Sequence, residues 1–349
     1  MTPGPPGRTA RSEQEVRWGP RPYPQLLRGP RHRWWRPLVG AAVAVAGAAV
    51  LIGLLAVGYG VAQAVLGRPL TDAEALASPL AFLGNNLVLA ALIPLSWAAV
   101  RVGHGIAPRW QASVVGGTRW RWMLLSSLPP TAVLVVGVLG LGLLAVAGGQ
   151  QPFGSGDQRG ASQTAVLVVV VLLTTPLQAA GEEHLFRGWM SQAVGSWFRH
   201  PVVGAVVAAL VSAAAFAFAH GDQDPWLYAD RFLFGLTASY LAWRTGGLET
   251  GIAFHAVNNV VVFVPTVLAG GLGDSLEATS ASPALVVLDG VGFVLIAVAT
   301  AWLARWRGLV RLSVPPRVES SLGAVTRDGL QAGTRDGASA SIAEGESPR

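Results

Sequence analysis

Three short stretches of this chain hold side chains able to do chemistry. They are Gly181-Glu182-Glu183-His184-Leu185-Phe186-Arg187, Phe216-Ala217-Phe218-Ala219-His220 and Phe254-His255-Ala256-Val257-Asn258-Asn259. If the first is helical, Glu183 and Arg187 are i,i+4 neighbours and can pair in a low dielectric. Glu182 is then rotated by about 100° from Glu183 and left without that partner, which suits it to take a proton from water. The alternative is an Arg–Glu clip that locks two helices, with Glu182 facing water. His255 and Asn259, four residues apart, share one helix face. A lone histidine in such a setting is often just a hydrogen-bonded helix contact, but two histidines and two glutamates in four neighbouring segments are less easily dismissed. The chain has no cysteine, so disulfide frameworks, thiolate metal sites and cysteine nucleophiles are excluded.

The elements that must position these residues are apolar. Of 349 residues, 52% are hydrophobic and 13% charged, with a mean hydropathy of +0.47. Ordinary soluble domains carry about 25% charged residues, so the composition points to an all-α, polytopic integral membrane protein. Eight segments approach the roughly 20 apolar residues a span needs: 38–66, 80–101, 122–148, 163–190, 202–220, 226–243, 250–269 and 284–304. Residues 1–37, rich in arginine and proline, read as a disordered tail, 38–304 as the membrane domain, and 305–349 as a second disordered tail. An ionisable residue inside a span costs on the order of 2.5–3.5 kcal/mol on insertion scales. The clusters in spans four to seven are therefore functional candidates. His184, Asn85, Asn86 and Asp289 are expected to make helix contacts, and Asp230-Arg231 to pair with other helices or line a cavity.

All 25 basic residues are arginine, and the net charge is +6. Their distribution obeys the positive-inside rule rather than tracing a nucleic-acid footprint. The loops assigned outside hold Asp72, Glu74, Asp157, Asp222, Asp224, Asp274 and Glu277 against Arg68 and Arg159. Both termini are expected in the cytoplasm, in a multi-pass protein of the cell membrane. Pro108–Trp122, with Trp110, Trp120 and Trp122 among arginines, reads as a segment on the inner leaflet surface. Glu182 and His220 lie nearly equidistant from the turn at Arg199-His200-Pro201, so in an antiparallel helix pair they can meet. For His255 to share their level, helix four must run on to about residue 197, giving a water-accessible cavity open to the cytoplasm.

The order Glu182-Glu183-x-x-x-Arg187, Phe216-x-x-x-His220, His255-x-x-x-Asn259 resembles the CPBP intramembrane proteases. That family includes the CAAX prenyl endopeptidases and bacteriocin-processing or immunity proteins. The resemblance covers about residues 160–270. It implies an endopeptidase that cuts membrane-associated peptides or proteins in or beside lipid, with Glu182 as general base and His220 helping to orient and activate the water. His255 and Asn259 would stabilise the oxyanion, with Glu183 also in the catalytic set and Arg187 and Phe216 supporting it. Zinc is left open by the resemblance: two His and one Glu match a catalytic zinc set, which here would be His220, His255 and Glu182 or Glu183. Direct activation of water by a glutamate is the other mechanism. A non-catalytic scaffold or immunity-type protein that keeps the fold is the competing function, and a transporter the third.

Overall fold

Proline and small polar residues mark where helices begin in this chain, and the computed structural model, which describes residues 19–67, 78–151, 153 and 160–313, agrees with them. Helix α1 (Arg36–Leu66) starts with Pro37 in its first turn; α2 (Pro79–Ala90) is capped by the Ser78 hydroxyl, which accepts from Ala81 N at 3.3 Å, and runs on into α3 (Leu92–His104). Then come α4 (Trp120–Ser126), α5 (Leu128–Ala147) and α6 (Ala161–Glu183). A π-helical turn over His184–Met190 joins α6 to α7 (Ser191–Ser196). Pro201 and Pro225 open α8 (Pro201–Phe218) and α9 (Pro225–Thr245), the latter capped by Asp224 Oδ1 on Leu227 N at 2.7 Å. The chain closes with α10 (Glu249–Ala269), α11 (Leu272–Leu276) and α12 (Pro283–Trp306). Proline at a helix start suits its fixed φ and missing N–H.

The protein is a multi-pass, all-α membrane protein. Among the described residues, seven helices are long and apolar enough to cross a bilayer: Arg36–Leu66, Pro79–His104, Trp120–Ala147, Ala161–Ser196, Pro201–Phe218, Glu249–Ala269 and Pro283–Trp306. The most apolar window of the first has a mean hydropathy of 2.6 with 11% of it buried, and that of the third 2.3 with 6%. Such exposed apolar surface is stable only against lipid. The expected span 226–243 is α9, a helix of 21 residues that falls outside these seven because Tyr228, Asp230, Arg231, Tyr240 and Arg244 dilute its hydropathy. Packing centres on α6, which lies against α2 on one side and α10 on the other, while α8, α9 and α12 stack in series.

Two expectations about the ends are corrected. Residues 1–18 and 314–349 lie outside the described residues, as do Arg68, Asp72, Glu74, Asp157 and Arg159 of the orientation argument. Residues 19–35, however, are built into the fold rather than a loose tail. Tyr23 and Leu26 are fully buried, Gln25 Nε2 donates to Phe198 O at 2.8 Å, and Arg28 Nη1 donates to Ser196 O at 2.7 Å. Strand β1 (Arg21–Pro22) pairs antiparallel with β2 (Leu312–Ser313), so residues near both ends meet. Arginine and proline made this stretch read as solvated, yet its few apolar side chains supply anchors, and its polar ones take helix-end carbonyls that need donors. Likewise Pro108–Trp122 does not simply lie on a leaflet surface. Gln111, Ser113, Val114 and Trp122 are buried. Val114 N donates to Gly246 O and Leu248 N to Ala112 O, both at 2.8 Å. Gly246, with φ of +73°, makes the tight α9–α10 turn that this segment grips.

Candidate active site

Helix α6 brings Glu182 and Glu183 to its last turn, and the π turn begins at the next residue. Arg187, within that turn, donates from Nη1 to Glu183 Oε1 at 2.9 Å, and both side chains are fully buried. Helix α10 reaches the same place with His255, whose Nδ1–H donates to the same Oε1 at 3.0 Å. The other ring nitrogen, Nε2, stands 3.4 Å from Glu182 Oε2 without hydrogen-bond alignment. Each carboxylate keeps its Oε2 without a hydrogen-bond partner among the described residues, but Glu183 Oε1 is committed to two donors, while Glu182, 8% exposed, is bonded by neither of them. This is the division of labour that the i,i+4 spacing implies.

Close approach of backbone makes the cluster possible. Gly251, four residues before His255, faces Glu183; a Cβ there would stand 2.9 Å from Glu183 Oε2. Gly235 on α9 similarly leaves room for Arg187 Nη2. Phe216 on α8 forms the apolar wall. The Arg187 guanidinium sits 4.4 Å over its ring, within cation–π range, and both His255 and His220 meet that ring edge-on, at 5.7 and 4.7 Å. Phe186, Phe234, Phe254 and Phe293 continue the aromatic packing, which keeps the Glu183–Arg187 pair dry.

The remaining expected residues lie at the margin. His220 comes just after the end of α8, is exposed, and donates Nδ1–H to Phe216 O at 2.8 Å, which leaves Nε2 as its free nitrogen. It is close enough to Glu182 to feel its charge, but no hydrogen bond joins them. Asn259 meets neither glutamate; its Nδ2 donates to Gln178 Oε1 at 3.1 Å and its Oδ1 accepts from Asn258 Nδ2 at 3.2 Å. Helix α6 does run on through the π turn to Ser196, the length the depth argument required. The opening differs: the end beneath the glutamates is filled by Tyr23, Gln25 and Leu26, and the exposed side is the His220–Asp222 turn.

Gln178 was missed, although it lies four residues before Glu182 on the same helix face and its spacing was readable. His184 makes the expected helix contact, donating Nδ1–H to Ala180 O at 2.8 Å, and Asn86 bonds Thr174 Oγ1 at 2.8 Å across α2 and α6. A zinc centre needs three converging protein ligands. Here both His255 nitrogens face carboxylates and Glu183 is engaged by Arg187. Among the described residues no group of three or more His, Asp or Glu side chains is arranged to hold a metal. The donor set as it stands does not fit that ion.

Residues 163–261 match the model of a family described as type II CAAX prenyl endopeptidase Rce1-like. Over 102 residues the chain is 29% identical to a protein of Bacillus subtilis (strain 168) named "Uncharacterized protein YyaK", covering 29% of this chain and 34% of that one. The match therefore spans about a third of the length of that curated relative. No solved structure matches.

Proposed function

We propose that this chain, which belongs through residues 163–261 to the Rce1-like CAAX protease family, is an intramembrane endopeptidase whose water is activated by Glu182. The observation that carries the proposal is the asymmetry of the two glutamates: Glu183 Oε1 takes hydrogen bonds from both Arg187 and His255, its Oε2 staying unpartnered, whereas neither of those donors bonds Glu182, whose Oε2 stands 3.4 Å from His255 Nε2. Water held between Glu182 and His220 Nε2 loses a proton to Glu182 as it attacks the scissile carbonyl. In its imidazolium form, with Nδ1–H kept by Glu183, His255 then donates Nε2–H to the oxyanion, as does the second hydrogen of Asn259 Nδ2, each donor worth about 2.7–4 kcal/mol in comparable sites. Glu182 returns the proton to the leaving amine. Glu183 and Arg187 orient His255 through its Nδ1–H, and Phe216 excludes water from their pair.

Substrates enter in this account from the exposed His220 side and are membrane-associated peptides or proteins. The arginine distribution favours placing the paired ends, Arg21 and Ser313, in the cytoplasm. The test is cleavage of fluorogenic peptides, lipidated and unlipidated, by purified protein with and without a strong zinc chelator. Activity is expected to survive chelation and to vanish in Glu182→Gln while the unfolding temperature is kept. Loss on chelation, restored by zinc, would replace the glutamate mechanism. Failure to cleave any peptide would favour a non-catalytic scaffold.

A further inference from the structure

The helix that carries the glutamates is 36 residues long, Ala161–Ser196, and its His184–Met190 stretch is wound as a π turn. Each residue added in such a turn rotates the helix on its N-terminal side against the helix on its C-terminal side by about 100°. The C-terminal side is fixed: Ser196 O accepts Arg28 Nη1 at 2.7 Å, and Gly195 lies so close to Pro24 that a side chain there would collide with its carbonyl. The N-terminal side must present Glu183 to His255 at 3.0 Å. The π turn sets the phase between the two.

Side chains from outside the helix hold that turn. Phe186 O accepts the Ser212 hydroxyl of α8 at 2.9 Å, and His184 O accepts Gln111 Nε2 at 3.4 Å. Gln111 is 1% exposed and Ser212 fully buried. The Gln111 amide also reaches Ser96 O at 3.4 Å, its Oε1 accepts the Ser96 hydroxyl at 3.1 Å, and its backbone carbonyl accepts the Tyr23 hydroxyl. Gly188, inside the turn, makes room for it: an added Cβ would stand 3.3 Å from Gln111 Cδ. Buried donors spent on these carbonyls hold the wide turn against relaxing into ordinary α-helix.

We propose that Gln111 and Ser212 are positioning residues for the candidate active site, acting through the π turn on the phase of Glu182 and Glu183. The inference rests on the endopeptidase reading and extends it to Gln111, which lies outside the family match at residues 163–261. The experiment compares full-length wild type with Gln111→Leu, Ser212→Ala and Ser212→Cys, reading kcat, KM, unfolding temperature and hydrogen exchange. Gln111→Leu keeps the bulk and loses the amide; Ser212→Cys keeps the size and a weak donor. The expected result is a fall in kcat of roughly ten- to a hundredfold in Gln111→Leu and Ser212→Ala, the scale of a misplaced catalytic group. KM stays nearly constant, Ser212→Cys recovers part of the loss, and the Ser191 amide, bonded to Phe186 O, exchanges faster. Unchanged kcat in both variants overturns the proposal, as does a loss of kcat matched by KM and stability with no recovery in Ser212→Cys. If wild type cleaves no peptide, the endopeptidase reading fails separately. The exchange measurement then decides alone, and unaltered Ser191 protection overturns the clamp.

Discussion

Glu183 and Arg187 form an ion pair with no solvent exposure at either side chain. Removing one member of such a pair leaves an uncompensated buried charge, which costs about 3–5 kcal/mol. Arg187→Met is therefore expected to lower the unfolding temperature in detergent markedly, and Glu183→Gln combined with Arg187→Met to recover much of it without activity. An Arg187→Met protein that unfolds at the wild-type temperature would show that the pair is solvated. Glu182→Gln should behave in the opposite way, since its Oε2 gives up no hydrogen bond: stability kept, cleavage gone. This much was readable in the sequence, because i,i+4 spacing on one helix fixes who faces whom. The contact of His255 with both carboxylates was not readable. It depends on how far α10 is slid along α6, and that register is set by Gly251 and the tight turn at Gly246 rather than by any motif.

Among the elements, α10 and the N-terminal segment make the clearest predictions. In Gly251→Ala the new Cβ would lie 2.9 Å from Glu183 Oε2, so α10 must shift or Glu183 must turn from His255. Overpacking of this kind costs about 1–3 kcal/mol. Cleavage is expected to fall further than stability alone explains, measured as kcat beside the unfolding curve; wild-type kcat would mean the helix yields without disturbing the pair. The segment before α1 should respond to pH. Partial burial, and then Arg28, Arg33 and Arg36, hold the His32 imidazole down to about 4 from its usual 6.5, and His104 of α3 lies close by. The undocked segment binds a proton more readily than the docked one. Docking is therefore complete above about pH 6.5 and weakens as pH falls toward 4. Hydrogen-exchange protection factors over residues 21–36 should drop across that window and flatten in His32→Gln. Sequence alone hid this element, since five or six anchoring residues are too few to give a periodic signal and arginine-rich composition suggested solvent. The π turn was equally silent, because its seven residues have nothing in their types that separates them from α-helix.

At the scale of the whole molecule, composition foretold a multi-pass helical protein, and seven of the eight expected spans coincide with helices apolar enough to cross a bilayer, the fourth running on past its expected end to Ser196. The sum of apolar surface is a property of sequence alone. Which end of the bundle is closed is not, because that depends on residues 21–28, 108–119 and 307–313 converging from distant parts of the chain. Tyr23 and Leu26 seal the end beneath the glutamates, and His220 lies exposed at the other side. Substrate should then reach Glu182 without any movement of the paired strands. Arg21 and Ser313 face each other in the β1–β2 pair, where antiparallel partners have Cα atoms about 4.5–5.5 Å apart, inside the range a disulfide accepts. The native chain has no cysteine, so Arg21→Cys with Ser313→Cys adds one defined crosslink. It should form on mild oxidation and leave cleavage of a membrane-anchored peptide unchanged. A rate that falls on oxidation and returns with reductant would instead mean that the strands part during turnover, and would move the substrate's path to the end where β1 and β2 pair.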